Sequence, residues 1–234
     1  MNNKLRTIGI VIVLLLGVNS INAQDPEFTQ FYATPLYTNP AFAGTGSCDG
    51  GGRAVINYRQ QWPSLPGTFV TTAASWDQHF DKLGGGVGLM LVDDRAGEGL
   101  LTYTGVSAVY SYQWMVSRKF TMRFGIQGTY GQRSIDWSRL RFEDQIDPTR
   151  GFVNPTNEPY AGDRVSFANF SAGMIGYTSN FYAGLAVHNI IEPNQSFYGS
   201  DDAIIPMRFT GHGGVVIPLD GRRVPESTIS PNVL

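Results

Sequence analysis

From Gly52 onward, apolar and polar residues alternate with a period of two in segments of roughly ten residues, and helical 3.6-residue spacing is scarce. The alternation predicts antiparallel β-strands. It is cleanest over Phe120–Tyr130, where Phe120, Met122, Phe124, Ile126 and Tyr130 share one face and Thr121, Arg123, Gln127 and Thr129 the other. A run of about 11 residues exceeds the usual 5 to 6 of a soluble strand and matches the ~9 to 11 of a tilted membrane strand. Ala54, Ile56 and Tyr58 alternate in the same way with Arg53, Asn57 and Arg59, and Val70, Thr72, Ala74 and Trp76 with Thr71, Ser75 and Asp77. Five further segments, 86–92, 100–114, 167–177, 181–188 and 206–217, complete a set of about eight strands. In a membrane barrel the polar faces turn inward, which makes Arg53, Arg59 and Arg123 candidates to face the lumen.

The connections carry a second signal. Links after the first, third, fifth and seventh strands come to about 7, 7, 31 and 17 residues, and those after the second, fourth and sixth to about 6, 5 and 3. A barrel entered from the periplasm has short periplasmic turns and longer exterior loops, so this parity places 62–67, 93–99, 134–164 and 189–205 outside. Trp62, Trp76, Tyr112, Trp114 and Tyr130 lie near segment ends, where an interfacial girdle or a soluble β-protein would both put them. After the eighth strand, 219–225 reads as a polar turn and Ile229–Leu234 as the start of a ninth. A closed barrel needs a final strand over its open edge, so the sequence is expected to be part of a longer protein.

Ahead of the strands lies an export signal: Lys4 and Arg6, the apolar run Ile8–Val18, and Ala23 as a cleavage residue before Gln24. About 11 apolar residues are too few to span a ~30 Å membrane core, so cleavage is expected rather than anchoring. The expected organisation is a signal peptide over 1–23, a periplasmic or lumenal segment over 24–49, and the barrel over 50–234. The formal net charge of -2 leaves no basic footprint for nucleic acid. A mean hydropathy of -0.13 resembles that of a soluble globule, an impression the strand pattern overrides. Cys48 is the single cysteine, which excludes an internal disulfide and a cysteine-cluster zinc site.

Chemistry-bearing constellations are sparse. His79, His188 and His212 lie on separate segments without the spacing of a helical metal site, so no metal and no cofactor is expected. A surface lipid enzyme would have to use His188 beside Asn189, and no catalytic residue is assigned. Gly84–Gly88 has no following Lys-Ser/Thr and reads as a flexible hairpin rather than a phosphate loop. Asp93, Asp94 and Glu98 lack the ligand spacing of a regular calcium loop and read as a solvated acidic loop.

The mature start Gln24-Asp25-Pro26-Glu27-Phe28-Thr29-Gln30-Phe31-Tyr32, with Thr38-Asn39-Pro40-Ala41-Phe42-Ala43-Gly44 behind it, resembles the PorP/SprF family of type IX secretion outer-membrane proteins. The segments Asn57–Pro63, Leu83–Asp94, Leu140–Asp147, Phe181–Leu185 and Ser230–Leu234 fall in that family's order, so the resemblance covers nearly the whole mature chain. It implies an all-β, antiparallel outer-membrane β-barrel of the fatty-acid-transporter type, about 14 strands when complete, with the first eight to nine in this chain. It also implies work beside surface adhesins and the periplasmic ring or motor of the type IX machinery. Asn39-Pro40-Ala41 looks like the motif by which such barrels fold an N-terminal segment into the lumen, and Asn39, Pro40, Ala41 and Phe42 are the candidate plug. Turn chemistry alone equally allows a plain lead-in to the first strand.

Long structured loops often carry function. The apolar residues Phe152, Val153, Ile190, Ile191 and Phe197 in the two longest links are candidates to contact a partner, or to close a lid over the barrel. The expected function is a non-enzymatic barrel of the type IX secretion and gliding apparatus, which anchors or helps secrete a surface adhesin, or its C-terminal domain, and links it to periplasmic components. Outer-membrane lipid would surround it. The alternative is a diffusion channel for apolar small molecules, its path lined by the inward arginines. A lumen packed with the N-terminal segment and large polar side chains favours the first, and a continuous apolar pocket the second.

Overall fold

The computed structural model describes residues 28, 33–46, 51–64, 67–97, 100–159, 162–200, 203–218 and 228–234. The expected signal peptide and its cleavage site, Cys48, and the turn at 219–225 lie outside the described residues. No described helix is long and apolar enough to cross a membrane.

Period-2 patterning produces long antiparallel strands: β1 (Arg53–Gln61), β2 (Phe69–Phe80), β3 (Gly85–Ala96), β4 (Leu101–Met115) and β5 (Thr121–Ile135). A small hairpin, β6 (Ile146–Asp147) and β7 (Gly151–Phe152), precedes β8 (Arg164–Tyr177), β9 (Phe181–His188) and β10 (Arg208–Val215). The two-residue strands β11 (Ile217–Pro218), β12 (Thr228–Ile229) and β13 (Asn232–Val233) follow. Nine strands form one sheet in the order β1-β2-β3-β4-β5-β8-β9-β10-β13, curled into a half-barrel. All-β architecture and a strand number of eight to nine are as expected from the sequence.

The strands are inverted relative to a soluble protein. On β5, Arg123, Gly125 and Gln127 are buried inside the curl, while Phe124, Ile126 and Tyr130 are exposed outside it. On β1, Ile56 and Tyr58 face out, and on β3 Leu89 and Leu91 do so. Apolar residues pointing away from the core suit lipid as the solvent of that face. The aromatic residues Trp62, Trp76, Tyr112, Trp114 and Tyr130 are all exposed on it.

Links 81–84, 116–120 and 178–180 turn at one rim, and 62–68, 97–100, 136–163 and 189–207 at the other. The link after β3 is shorter than the sequence suggests. Asp93–Ala96 continue β3, because Thr72 to Val70 and Leu101 to Thr104 pair with them on either side. Asp94 accepts from the Thr71 hydroxyl at 2.6 Å and Asp93 from Arg95 and Thr104, so the acidic pair caps strand ends and does not form a free loop. Gly84–Gly88 is likewise ordered: Gly84 turns with φ of 62° and the next residues belong to β3. Residues 232–233 occupy the ninth strand position, against Gly213 and Gly214 of β10.

Candidate functional site

Inside the curl lies the segment Thr34–Gly44. It forms a one-turn helix, Pro35–Thr38, with proline at its start, and then a 3-10 turn, Pro40–Phe42, capped by the Asn39 side chain, which accepts from the Ala41 N–H at 2.9 Å. Leu36 packs with Ala43, Ala73, Met90, Val92 and Val109 into the small apolar core of this inner face, with Tyr37 and Tyr103 against it.

A row of small residues seats the segment. The register runs His79, Gly86, Ser111, Gly125, Gly173, Ala186 across six strands, so five adjacent positions present little or no side chain. The row makes a trough across the sheet, and backbone fills it. A Cβ on Gly125 would overlap Pro40 and Ala41, and one on Gly173 would overlap the Asn39 amide. Asn39, Pro40, Ala41, Ala43 and Gly44 are consequently all buried.

Polar side chains then satisfy the segment's backbone, which a buried irregular stretch requires. Asn39 Nδ2 donates to Met174 O and Leu185 O at 3.1 Å each and lies 2.9 Å from His212 Nε2. The Ala43 carbonyl accepts from Ser111 Oγ at 2.6 Å and Arg123 Nη1 at 2.9 Å. The Gly44 N–H donates to Asp77 at 2.7 Å, and Arg53 spans Asp77 and the Phe42 carbonyl. Arg123 Nη2 lies 3.0 Å from His79 Nδ1, and His188 Nε2 lies 3.2 Å from Thr38 O. At the segment's other flank, the Arg208 guanidinium sits 5.4 Å over the Tyr37 ring. Buried Asp77 answers Arg53 directly, as a buried charge requires, whereas buried Arg123 is met by the Ala43 carbonyl and His79.

Of the residues singled out in the sequence, Asn39, Pro40, Ala41, Phe42, Arg53 and Arg123 thus come together. Arg59 sits on the same face of β1, bonding Gln61, away from these contacts. His188 is buried against the segment rather than presented to the surface. Beyond the segment, Ser107, Gln127, Thr129, Asn169, Ser171 and His188 line a cleft of about 60 Å³, with Tyr37, Met90, Val92 and Tyr103 beside them. Ser111 and Asp77 complete the site, with His79 and His212, considered in the sequence only as metal ligands. Only strand register, which one sequence does not give, brings them to the segment.

Among the candidate partner residues, Phe152, Val153, Ile190 and Ile191 are exposed and Phe197 is half-buried. The two long links touch each other. Trp137 stacks on Phe142 at 6.2 Å and meets Tyr198 edge-on at 6.3 Å, while Tyr198 Oη donates to Pro159 O at 3.1 Å. The Arg141 guanidinium lies 6.0 Å from the Phe152 ring centre.

An antiparallel sheet with apolar residues outside, polar and small residues inside, and a chain segment seated in its curl is the wall of a membrane β-barrel. The chain belongs to the PorP/SprF family of type IX secretion system membrane proteins, whose family model matches residues 20–234. No curated protein and no solved structure matches it significantly.

Proposed function

We propose that this chain is an outer-membrane barrel component of the type IX secretion and gliding apparatus. It reaches the membrane through a cleaved signal peptide, anchors or helps secrete a surface adhesin, and links it to periplasmic ring or motor components. Family membership supports the secretion role. The observation that carries the scaffold reading, over a diffusion channel, is the seated segment: Asn39 to Gly44 fill the trough and are held from β1, β2, β4, β5, β8 and β10 as a plug. A path for apolar solutes needs a continuous apolar lumen, and in this cleft hydroxyl, amide and guanidinium groups interrupt the apolar surface of Met90 and Val92. On this reading 136–163 and 189–207 face the cell exterior. Phe152, Val153, Ile190, Ile191 and Phe197 are the residues for an adhesin or its C-terminal domain, and the short turns meet the periplasmic machinery.

The test is purification of the full-length protein from detergent-solubilised outer membranes, with mass spectrometry of what accompanies it. The expected result is a large surface protein together with type IX ring components, of which the surface protein is lost on Phe152→Asp or Ile191→Asp. A barrel recovered alone, carrying fatty acid or other apolar solute in native mass spectra, overturns it.

A further inference from the structure

All three histidines of the chain bear on the seated segment. Their hydrogen-bonding roles follow from their partners. A carbonyl only accepts, so His188 donates to Thr38 O. Ala41 N–H fixes Asn39 Oδ1 as the accepting end of that amide, which leaves Nδ2 as donor and His212 Nε2 as an unprotonated acceptor. Arginine has no acceptor, so His79 Nδ1 facing Arg123 is unprotonated too. Arg123 in turn holds the Ala43 carbonyl.

We propose that His212 is a proton-operated latch that holds the N-terminal segment in the lumen while its Nε2 is unprotonated and releases it when that nitrogen is protonated. The inference rests on reading that segment as a plug. A proton added at His212 Nε2 sets donor against donor at the Asn39 amide. Histidine is the side chain that changes charge between about pH 5 and 8, which gives the latch its range.

The charged neighbours set its sense. His79 Nε2 lies 3.3 Å from Asp81 Oδ1 on an exposed turn that also carries Lys82. Arg123 takes the other ring nitrogen, Nδ1, as its acceptor, and Arg53, Asp77 and Tyr177 stand behind it. His212 meets the rings of Phe42 at 5.1 Å and Tyr182 at 5.9 Å, with Arg53 lining the same cleft of about 220 Å³. That cleft is wide enough for water to deliver a proton, and no carboxylate is among its described lining residues to stabilise the imidazolium.

Hydrogen exchange of the full-length protein in detergent, normalised for the intrinsic pH dependence of exchange, tests this at about pH 7.5 and about pH 5.5, a range that brackets histidine titration. Protection of residues 34–44 is expected to fall about tenfold or more at the lower pH, while that of β5 stays constant. His212→Gln keeps the acceptor but removes the titration, so this variant should stay protected at both values. His188→Gln, which keeps the donor, should behave like the wild type. Protection that is equal at both pH values in the wild type, or a pH response that survives in His212→Gln, overturns the latch and leaves the plug intact. A segment unprotected at both values overturns the plug as well.

Discussion

One amide does an unusual amount at the residue scale. Asn39 caps its own turn with Oδ1 and reaches two backbone carbonyls and a histidine with Nδ2. Asn39→Ala leaves those buried groups unanswered, and one unsatisfied group costs about 1 to 3 kcal/mol. The expected outcome is a barrel that still assembles but whose 34–44 segment exchanges and is cleaved by protease at least tenfold faster, read by limited proteolysis against wild type. Gly125→Ala should produce the same loss by steric means, because its Cβ would occupy the place of Pro40 and Ala41; a heat-modifiability gel will report whether the barrel itself survives. The turn chemistry of Asn39 and Pro40 was readable in the sequence. Its acceptors were not, because they are backbone groups of β8 and β9, and Gly86, Ser111, Gly125, Gly173 and Ala186 look like mere thinning of strands until register aligns them.

Among the elements, the small hairpin β6–β7 escaped the sequence pattern, since two-residue strands have no periodicity to detect. Its turn depends on the exposed Asp147, whose carboxyl is held below the ordinary carboxylate value, first by the Thr149 hydroxyl and then by the N–H groups of Thr149 and Arg150. A depressed value means that the folded turn favours the ionised form. The support is therefore present above the usual carboxylate value of about 3.9 and is lost as pH falls through the lower, folded one. NMR or hydrogen exchange at Thr149 and Arg150 should show the turn loosening only on the acid side of that range, and Asp147→Ala should loosen it at neutral pH. The two long links are coupled elements too. A double-mutant cycle on Trp137→Ala and Tyr198→Ala should return about 0.5 to 1.5 kcal/mol, measured as protease resistance of 136–163. That contact joins two segments that the sequence presents separately, so neither link length nor composition announced it.

For the whole molecule the inverted face decides the outcome. Ile126→Arg places a charge among lipid tails and should cost about 2 to 4 kcal/mol of membrane stability, whereas Gln127→Ser, one residue along and inside, should be well tolerated. Denaturant titration of the protein refolded into lipid vesicles separates the two. Fold class was legible because period-2 alternation over long segments and the alternation of link lengths are both properties of the chain alone. The end of β3 was misread because Asp93 and Asp94 look like loop residues, and only the pairing of their neighbours keeps them in a strand. The seated segment carries one more consequence, for the timetable of assembly. Met174, Leu185 and His212 lie 135, 146 and 173 residues beyond Asn39. None of them offers a partner until β8, β9 and β10 have zipped into register, and closing so long a loop is entropically unfavourable until those partners exist. The stretch of this sequence that is synthesised ahead of every strand therefore finds its seat after nearly all of them, so seating waits on a correctly paired wall and a mispaired one leaves the segment unseated.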